Sequence, residues 1–201
     1  MHRTNDTVIR QALVSRLNEE YITQPEYRLI PELGLWHGAS RIDVAVVNGV
    51  LHGFEIKSDR DTLLRLPEQR EAYNSVFDKV TLVVGSKHFV HAFKIIPDWW
   101  GVEIAHTDKN GKIFFNTIRE AKNNPAQDNI SIARLLWRHE ALDLLESIGK
   151  ADGIRSKPRE LIYARIAESI DMEPLKKYVR NVLQSSRKGW RSDAQLALCG
   201  D

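Results

Sequence analysis

The sequence predicts an α/β protein, and three observations carry that expectation. Two β-rich runs flank Asn48-Gly49, a continuous apolar run from Val80 to Val84 ends at Gly85, and helix-spaced apolar stripes lie on either side of them. Val8, Ile9, Ala12, Leu13 and Leu17 share one face, which predicts an amphipathic helix over 7–20 with Asp6 as its cap. Gln24, Pro25 and the stretch 31–34 then interrupt the pattern. The runs 41–47 and 50–57 around Asn-Gly give the strongest short hairpin signal a sequence offers. Residues 58–66 begin a second helix, Pro67 punctuates it, and 68–77 resume it. The run Val80–Val84 reads as a strand covered on both faces. A short helix is expected over 87–95, and strands at 102–106 and 113–115 flank a turn at 108–112.

The character changes after residue 122, where a polar linker (122–129) leads to helical patterns at about 132–149, 159–170 and 174–187. The expected organisation is a core over 1–122 and a helical region over 123–201, basic near its end.

Composition narrows the function. With 42% hydrophobic and 28% charged positions among 201 residues, the chain can bury a core and is not disordered. No apolar run approaches the ~18 residues of a membrane span, and the first residues do not read as a signal peptide. The lone Cys199 excludes a disulfide scaffold and a cysteine-ligated zinc. No phosphate-binding glycine loop is present, so no nucleotide cofactor is expected. A cytoplasmic protein without a membrane partner is the expectation. Lys176, Lys177, Arg180, Arg187, Lys188 and Arg191 fall in a stretch without acids. Such a run suits a phosphate-binding face or an ordinary solvated helix.

The chemistry concentrates in the first hairpin. Asp43 stands early on one strand, and Glu55-Ile56-Lys57 follows on the next. Alternation puts Glu55 and Lys57 on one face while Ile56 points the other way. Carboxylates that converge can hold a divalent cation, and a neighbouring lysine can orient water and offset phosphate charge. A two-residue turn at Asn48-Gly49 would put Asp43 opposite Phe54 and defeat this. The site therefore needs a three-residue loop or a bulge, with Gly49 suited to the left-handed position. A loop of 47–49 sets Asp43 diagonal to Glu55, and a loop of 48–50 sets them face to face. The same spacing recurs at Asp108, Glu120 and Lys122, but there it runs into a turn and the polar linker.

This split acid followed by acid-x-lysine on a hairpin resembles the PD-(D/E)XK nuclease superfamily. Gln69 and Tyr73, four residues apart on one helix, resemble the Gln-x-x-x-Tyr motif of its RecB-like members, and Ile42-Asp43 replaces the usual Pro-Asp. The likeness covers about residues 7–90. It implies a restriction-endonuclease-like αβββαβ core with a mixed central sheet, and a Mg²⁺- or Mn²⁺-dependent endonuclease acting on DNA. Asp43, Glu55 and the Ile56 carbonyl would hold the metal. Lys57 would orient the attacking water, with Gln69 and Tyr73 as its support. Glu32 is the choice for an additional acid, with Glu19 and Glu20 as rivals. A homodimer is compatible, since one site cuts one strand. The alternative on the same fold is a non-catalytic nucleic-acid-binding module.

Overall fold

A computed structural model describes residues 4–24 and 26–185. Helix α1 (Asp6–Tyr21) comes first. Its cap is Asn5, one residue before the expected Asp6: the Asn5 side chain accepts from the Thr7 N–H at 2.9 Å. Strands β1 (Arg28–Leu35), β2 (Ser40–Val47) and β3 (Leu51–Lys57) follow as an antiparallel meander. Helix α2 (Leu66–Asn74) crosses over to β4 (Lys79–Gly85), which runs parallel to β3. Helix α3 (Phe89–Ile95) leads to β5 (Gly101–Thr107), parallel to β4, and β6 (Ile113–Arg119) returns antiparallel. The protein is therefore α/β, with six strands in chain order in one mixed sheet.

The two faces of the sheet are covered differently. Ile9, Leu13 and Leu17 of α1 pack on Val44, Val46, Phe54 and Ile56. The other face carries the larger core, where Leu66, Ala72 and Tyr73 of α2 meet Ile42, Ala45 and Leu82. The C-terminal helices α4 (Asn129–Ala133), α5 (Arg138–Ser147), α6 (Arg159–Ser169) and α7 (Met172–Gln184) close that same core through Ile132, Leu145, Ile166 and Val179. The composition change after residue 122 thus marks a change of element type and not a break in the packing. No helix among the described residues is long and apolar enough to cross a membrane.

Three local expectations are corrected. The stretch around Pro31 is not an interruption but strand β1, and its place at the sheet edge is where a residue without an N–H is tolerated. Pro67 does not break a helix; it sits in the first turn of α2, and residues 58–65 form a loop. The pattern expected as one helix over 132–149 is divided between α4 and α5.

Candidate functional site

The β2–β3 register decides which side chains can meet. Val44 pairs with Phe54 and Val47 with Leu51, leaving Asn48–Val50 as a three-residue loop. Gly49 takes φ +89°, a conformation costly for any side chain bearing a Cβ. The pairing ends at Val44–Phe54, one residue short of Asp43 and Glu55, and the loop is the one that the face-to-face arrangement calls for.

A second irregularity crosses the sheet at the same row. On β1, Ile30 and Leu33 both face the larger core although they are three residues apart, and on β2 Ile42 and Ala45 do the same. Each strand therefore loses its two-residue alternation once, at Glu32 (φ +53°) and at Asp43. Pro31 pairs with Val44 and Leu33 with Ile42, so Glu32 and Asp43 fall in the row between. Freed from the ladder, Asp43 turns its carboxylate to β3, where Oδ2 accepts the Ile56 N–H at 2.7 Å.

Glu55 is enclosed, with its side chain only 2% exposed. Its Oε1 accepts from Lys57 Nζ at 2.6 Å and from Gln69 Nε2 at 2.7 Å. Its Oε2 lies 2.7 Å from the Tyr73 hydroxyl, which is also 2.6 Å from the Arg41 carbonyl and receives Gln69 Nε2 at 3.1 Å. One hydroxyl proton cannot serve two acceptors at once. A proton on Glu55 resolves the count: the carboxyl then donates to Tyr73, and Tyr73 donates to Arg41. Burial pushes the Glu55 carboxyl upward in pKa, against the pull of Lys57, Tyr73 and Gln69. Burial also raises Tyr73, with the Glu55 charge adding to it.

Asp43 behaves similarly. Burial and then the neighbouring Glu55 push it up to about 7, while Arg10 and the Ile56 N–H pull it down without cancelling the rise. Two buried carboxylates whose charges oppose each other make a site that a cation stabilises.

Arg10 of α1 is the residue sequence reasoning missed. Its Nη2 donates to Asp43 Oδ1 at 2.6 Å and to Asp6 Oδ2 at 3.2 Å, and its Nη1 to Glu32 and, at 3.3 Å, to the Asp43 carbonyl. The sequence marks only the Asp6–Arg10 spacing of four, a common surface pair. Nothing in it marks partners that lie 22 and 33 positions away. Glu32 also accepts from Arg41 at 3.1 Å. Of the acids considered for the extra position, Glu32 stands at the site. Glu20 instead lines a cavity of about 190 Å³ with His52, Lys79 and Glu103, and Glu120 of the recurring spacing lines it too.

Several observations bear on whether a divalent metal suits these residues. Among the described residues, no three His, Cys, Asp or Glu side chains form a ready cage. Asp43 and Glu55 nevertheless offer two hard carboxylate donors close enough for the charge of one to act on the other. Gln69 Oε1, beside Glu55, is buried with no hydrogen-bond partner among the described residues, an acceptor suited to a water or hydroxyl. The donor set fits an oxygen-loving cation.

The basic residues divide. Lys176 Nζ pairs with Asp78 Oδ1 at 2.6 Å and with Glu173 at 2.9 Å, and Arg180 Nη1 lies 3.6 Å from Asp78 Oδ2. At these two positions the basic side chains are held inward as ion pairs. Lys177 is exposed. Arg187, Lys188 and Arg191 lie outside the described residues.

A family model described as bacteriophage P4 protein cII matches residues 2–196. The chain belongs to this family. The protein cII of Enterobacteria phage P4 is 31% identical over 121 residues, which make up 60% of this chain and 46% of that protein. The chain therefore spans less than half the length of this curated relative. Among solved structures, a Silicibacter pomeroyi protein of unknown function is similar with a TM-score of 0.42 and 18% identity, over 75% of this chain and 94% of its own.

Proposed function

We propose that this member of the phage P4 cII family is a metal-dependent endonuclease that hydrolyses phosphodiester bonds in DNA, built on a restriction-endonuclease-like core. The observation that carries the reading is the hydrogen bond from the Ile56 N–H to Asp43 Oδ2 at 2.7 Å, which brings Asp43 beside Glu55, with Lys57 at 2.6 Å from Glu55. The opening order α1-β1-β2-β3-α2-β4 supports it, as does the contact of Gln69 and Tyr73 with Glu55.

On this reading the Asp43 and Glu55 carboxylates hold Mg²⁺ or Mn²⁺, with the Ile56 carbonyl and Glu32 as further oxygens. When bound, the metal supplies Lewis acidity toward the phosphate and lowers the pKa of a coordinated water. The chain does the rest. Lys57, two residues from Glu55 on the same face, brings a positive charge to 2.6 Å from it, where it orients the attacking water and offsets charge on the phosphate. Tyr73 and Gln69 fix the Glu55 carboxylate, and the unpaired Gln69 oxygen accepts a hydrogen bond from water. The Lys177 side of α7 contacts the DNA backbone without reading sequence. Such an enzyme works in the cytoplasm, and cutting both strands at one place calls for two copies.

The test is incubation with supercoiled, linear duplex and single-stranded DNA in Mg²⁺, in Mn²⁺ and in EDTA. Metal-dependent nicking or cleavage is expected, lost in Asp43→Asn, Glu55→Gln and Lys57→Met variants that keep their fold and DNA binding. DNA binding that falls steeply with salt, ignores metal and never leads to cleavage would overturn it in favour of a non-catalytic binding module.

A further inference from the structure

The residue at the site that neither motif nor spacing accounts for is Arg10. Its guanidinium touches three carboxylates, Asp6, Glu32 and Asp43, drawn from a helix and two strands. It is itself only 25% exposed. Burial disfavours its charge, yet Asp43, Asp6 and Glu32 together outweigh that and hold it firmly protonated. A planar guanidinium with fixed donors is the side chain best suited to gather carboxylates in this way. The contact to Asp43 is made at Oδ1, while Oδ2 is committed to the Ile56 N–H. Each oxygen of Asp43 therefore has one partner, and the oxygen facing Arg10 is the one whose partner is a side chain and not the backbone.

We propose that Arg10 is a positioning residue, a tethered cation that holds Glu32 and Asp43 together in one row and that a divalent metal must displace from Asp43 Oδ1. This inference rests on the metal-dependent reading above. Two cations cannot share one carboxylate oxygen at bonding distance without strong repulsion. Arg10 and the metal therefore compete, and the guanidinium that yields stays tethered through Asp6 and Glu32. Lys57 bonds the other carboxylate, at Glu55 Oε1, so its competition with a metal falls on Glu55 and leaves the competition at Asp43 to Arg10.

The experiment is calorimetric titration of Mn²⁺ into the wild-type chain and into Arg10→Gln, Arg10→Lys, Arg41→Gln and Asp43→Asn. Arg41 is the matched control: it pairs with Glu32 at 3.1 Å but is 44% exposed and has no contact with Asp43. Removing the competing charge in Arg10→Gln is expected to tighten Mn²⁺ binding about tenfold, the equivalent of one strong charge contact. Arg10→Lys and Arg41→Gln are expected to stay within about twofold of wild type, a difference too small to represent a lost ion contact. A folded Arg10→Gln that binds Mn²⁺ no more tightly than wild type overturns the proposal. A second measurement needs no loss of the side chain. In wild-type protein labelled with ¹⁵N-arginine, the Arg10 Nε–H resonance, identified by its absence from Arg10→Lys, is expected to move as Mg²⁺ is added. A resonance that stays fixed while metal binds overturns the proposal equally. Should wild type bind metal and Asp43→Asn fail to, a failed Arg10 result removes only the role of Arg10. Absence of metal binding by every protein, with or without a short DNA duplex, removes the nuclease reading and this inference with it.

Discussion

The Ile56 backbone N–H donates to Asp43 Oδ2 at 2.7 Å, so a side-chain oxygen fills a place on β3 where a strand would ordinarily offer a carbonyl. The Ile56 side chain is packed beneath α1 beside Val44 and Val83. The position of the acid is therefore set by the core on one face, while Glu55, the next residue along β3, is set by α2 on the other. Two carboxylates are brought together at one end of the β2–β3 pair, in the interior of the sheet. Their closeness is reflected in Asp43, whose carboxyl is pushed up to about 7 by burial and then by Glu55.

The raised Asp43 carboxyl makes stability depend on pH in an unusual direction. Between about pH 4 and 7 the folded chain holds a proton on Asp43 that the unfolded chain has released. The folded state then binds more protons, so this contribution is full below the unfolded pKa and is lost as pH rises toward 7. A shift of about three units corresponds to roughly 4 kcal/mol as an upper figure. Denaturant unfolding in EDTA at pH 4.5 and 7.5 should show wild type losing stability over this range. Asp43→Asn should flatten the profile without abolishing it, because Glu55 shifts in the same direction. Parallel profiles for the two proteins would mean that Asp43 carries no such proton.

Tyr73→Phe separates support of the site from support of the fold. The hydroxyl is buried and joins Glu55, Gln69 and the Arg41 carbonyl. Its removal leaves the buried Arg41 carbonyl without a donor and the Glu55 carboxyl without its partner, at a cost of about 1–3 kcal/mol. A partner that orients a metal-binding carboxylate commonly changes affinity or activity by 10- to 100-fold when lost. Mn²⁺ affinity measured beside thermal unfolding distinguishes the two roles. A chain that is destabilised with unaltered affinity would make Tyr73 structural only.

Much of this site was legible because hairpin geometry is local. Asn48-Gly49 between alternating runs specified a hairpin, and the demand that Asp43 meet Glu55 specified a loop longer than two residues. Strand β1 was hidden for a physical reason. Pro31 reads as a breaker unless the strand is known to be an edge, and the left-handed Glu32 shifts its buried positions out of period two. Arg10 was hidden because its partners come together only when α1 docks on the sheet. The inward pairing of Lys176 and Arg180 depends likewise on Asp78, a residue remote in sequence from α7.

The register itself can be tested by a deletion. Removing Leu51 while keeping the three-residue loop would pair Val47 with His52 and slip β2 against β3 by one residue, setting Asp43 opposite Ile56. A slip of one moves every side chain of a strand to the other face, so apolar positions would leave the core. Loss of Mn²⁺ binding and a steep fall in unfolding temperature are expected together. Gly49→Ala should be mild by comparison. A Cβ there meets nothing within 4 Å, and only the positive φ is penalised, at about 1 kcal/mol. Retention of metal binding by the deletion would show that the acids do not depend on this register.

Asp78 predicts a division of labour along α7. Its Oδ2 accepts the Leu51 N–H at 2.7 Å, and its two oxygens face Lys176 and Arg180. The Asp78 side chain is 9% exposed and that of Lys176 14%, so water does little to relieve the charges if the pair is broken. Asp78→Ala should take from two inward cations the acid they share, leaving Lys176 only the exposed Glu173, and should leave a backbone donor unmatched, costing about 3 kcal/mol or more. Lys176→Ala should cost less, since Arg180 remains, and should leave the salt dependence of DNA binding unchanged. Lys177→Ala is expected to do the reverse. It should keep wild-type stability and lower the slope of log affinity against log salt by about one contact. Equal losses of DNA affinity in the two lysine variants would show that Lys176 leaves Asp78 to meet the backbone, and that the ion pair is a resting arrangement of a binding residue.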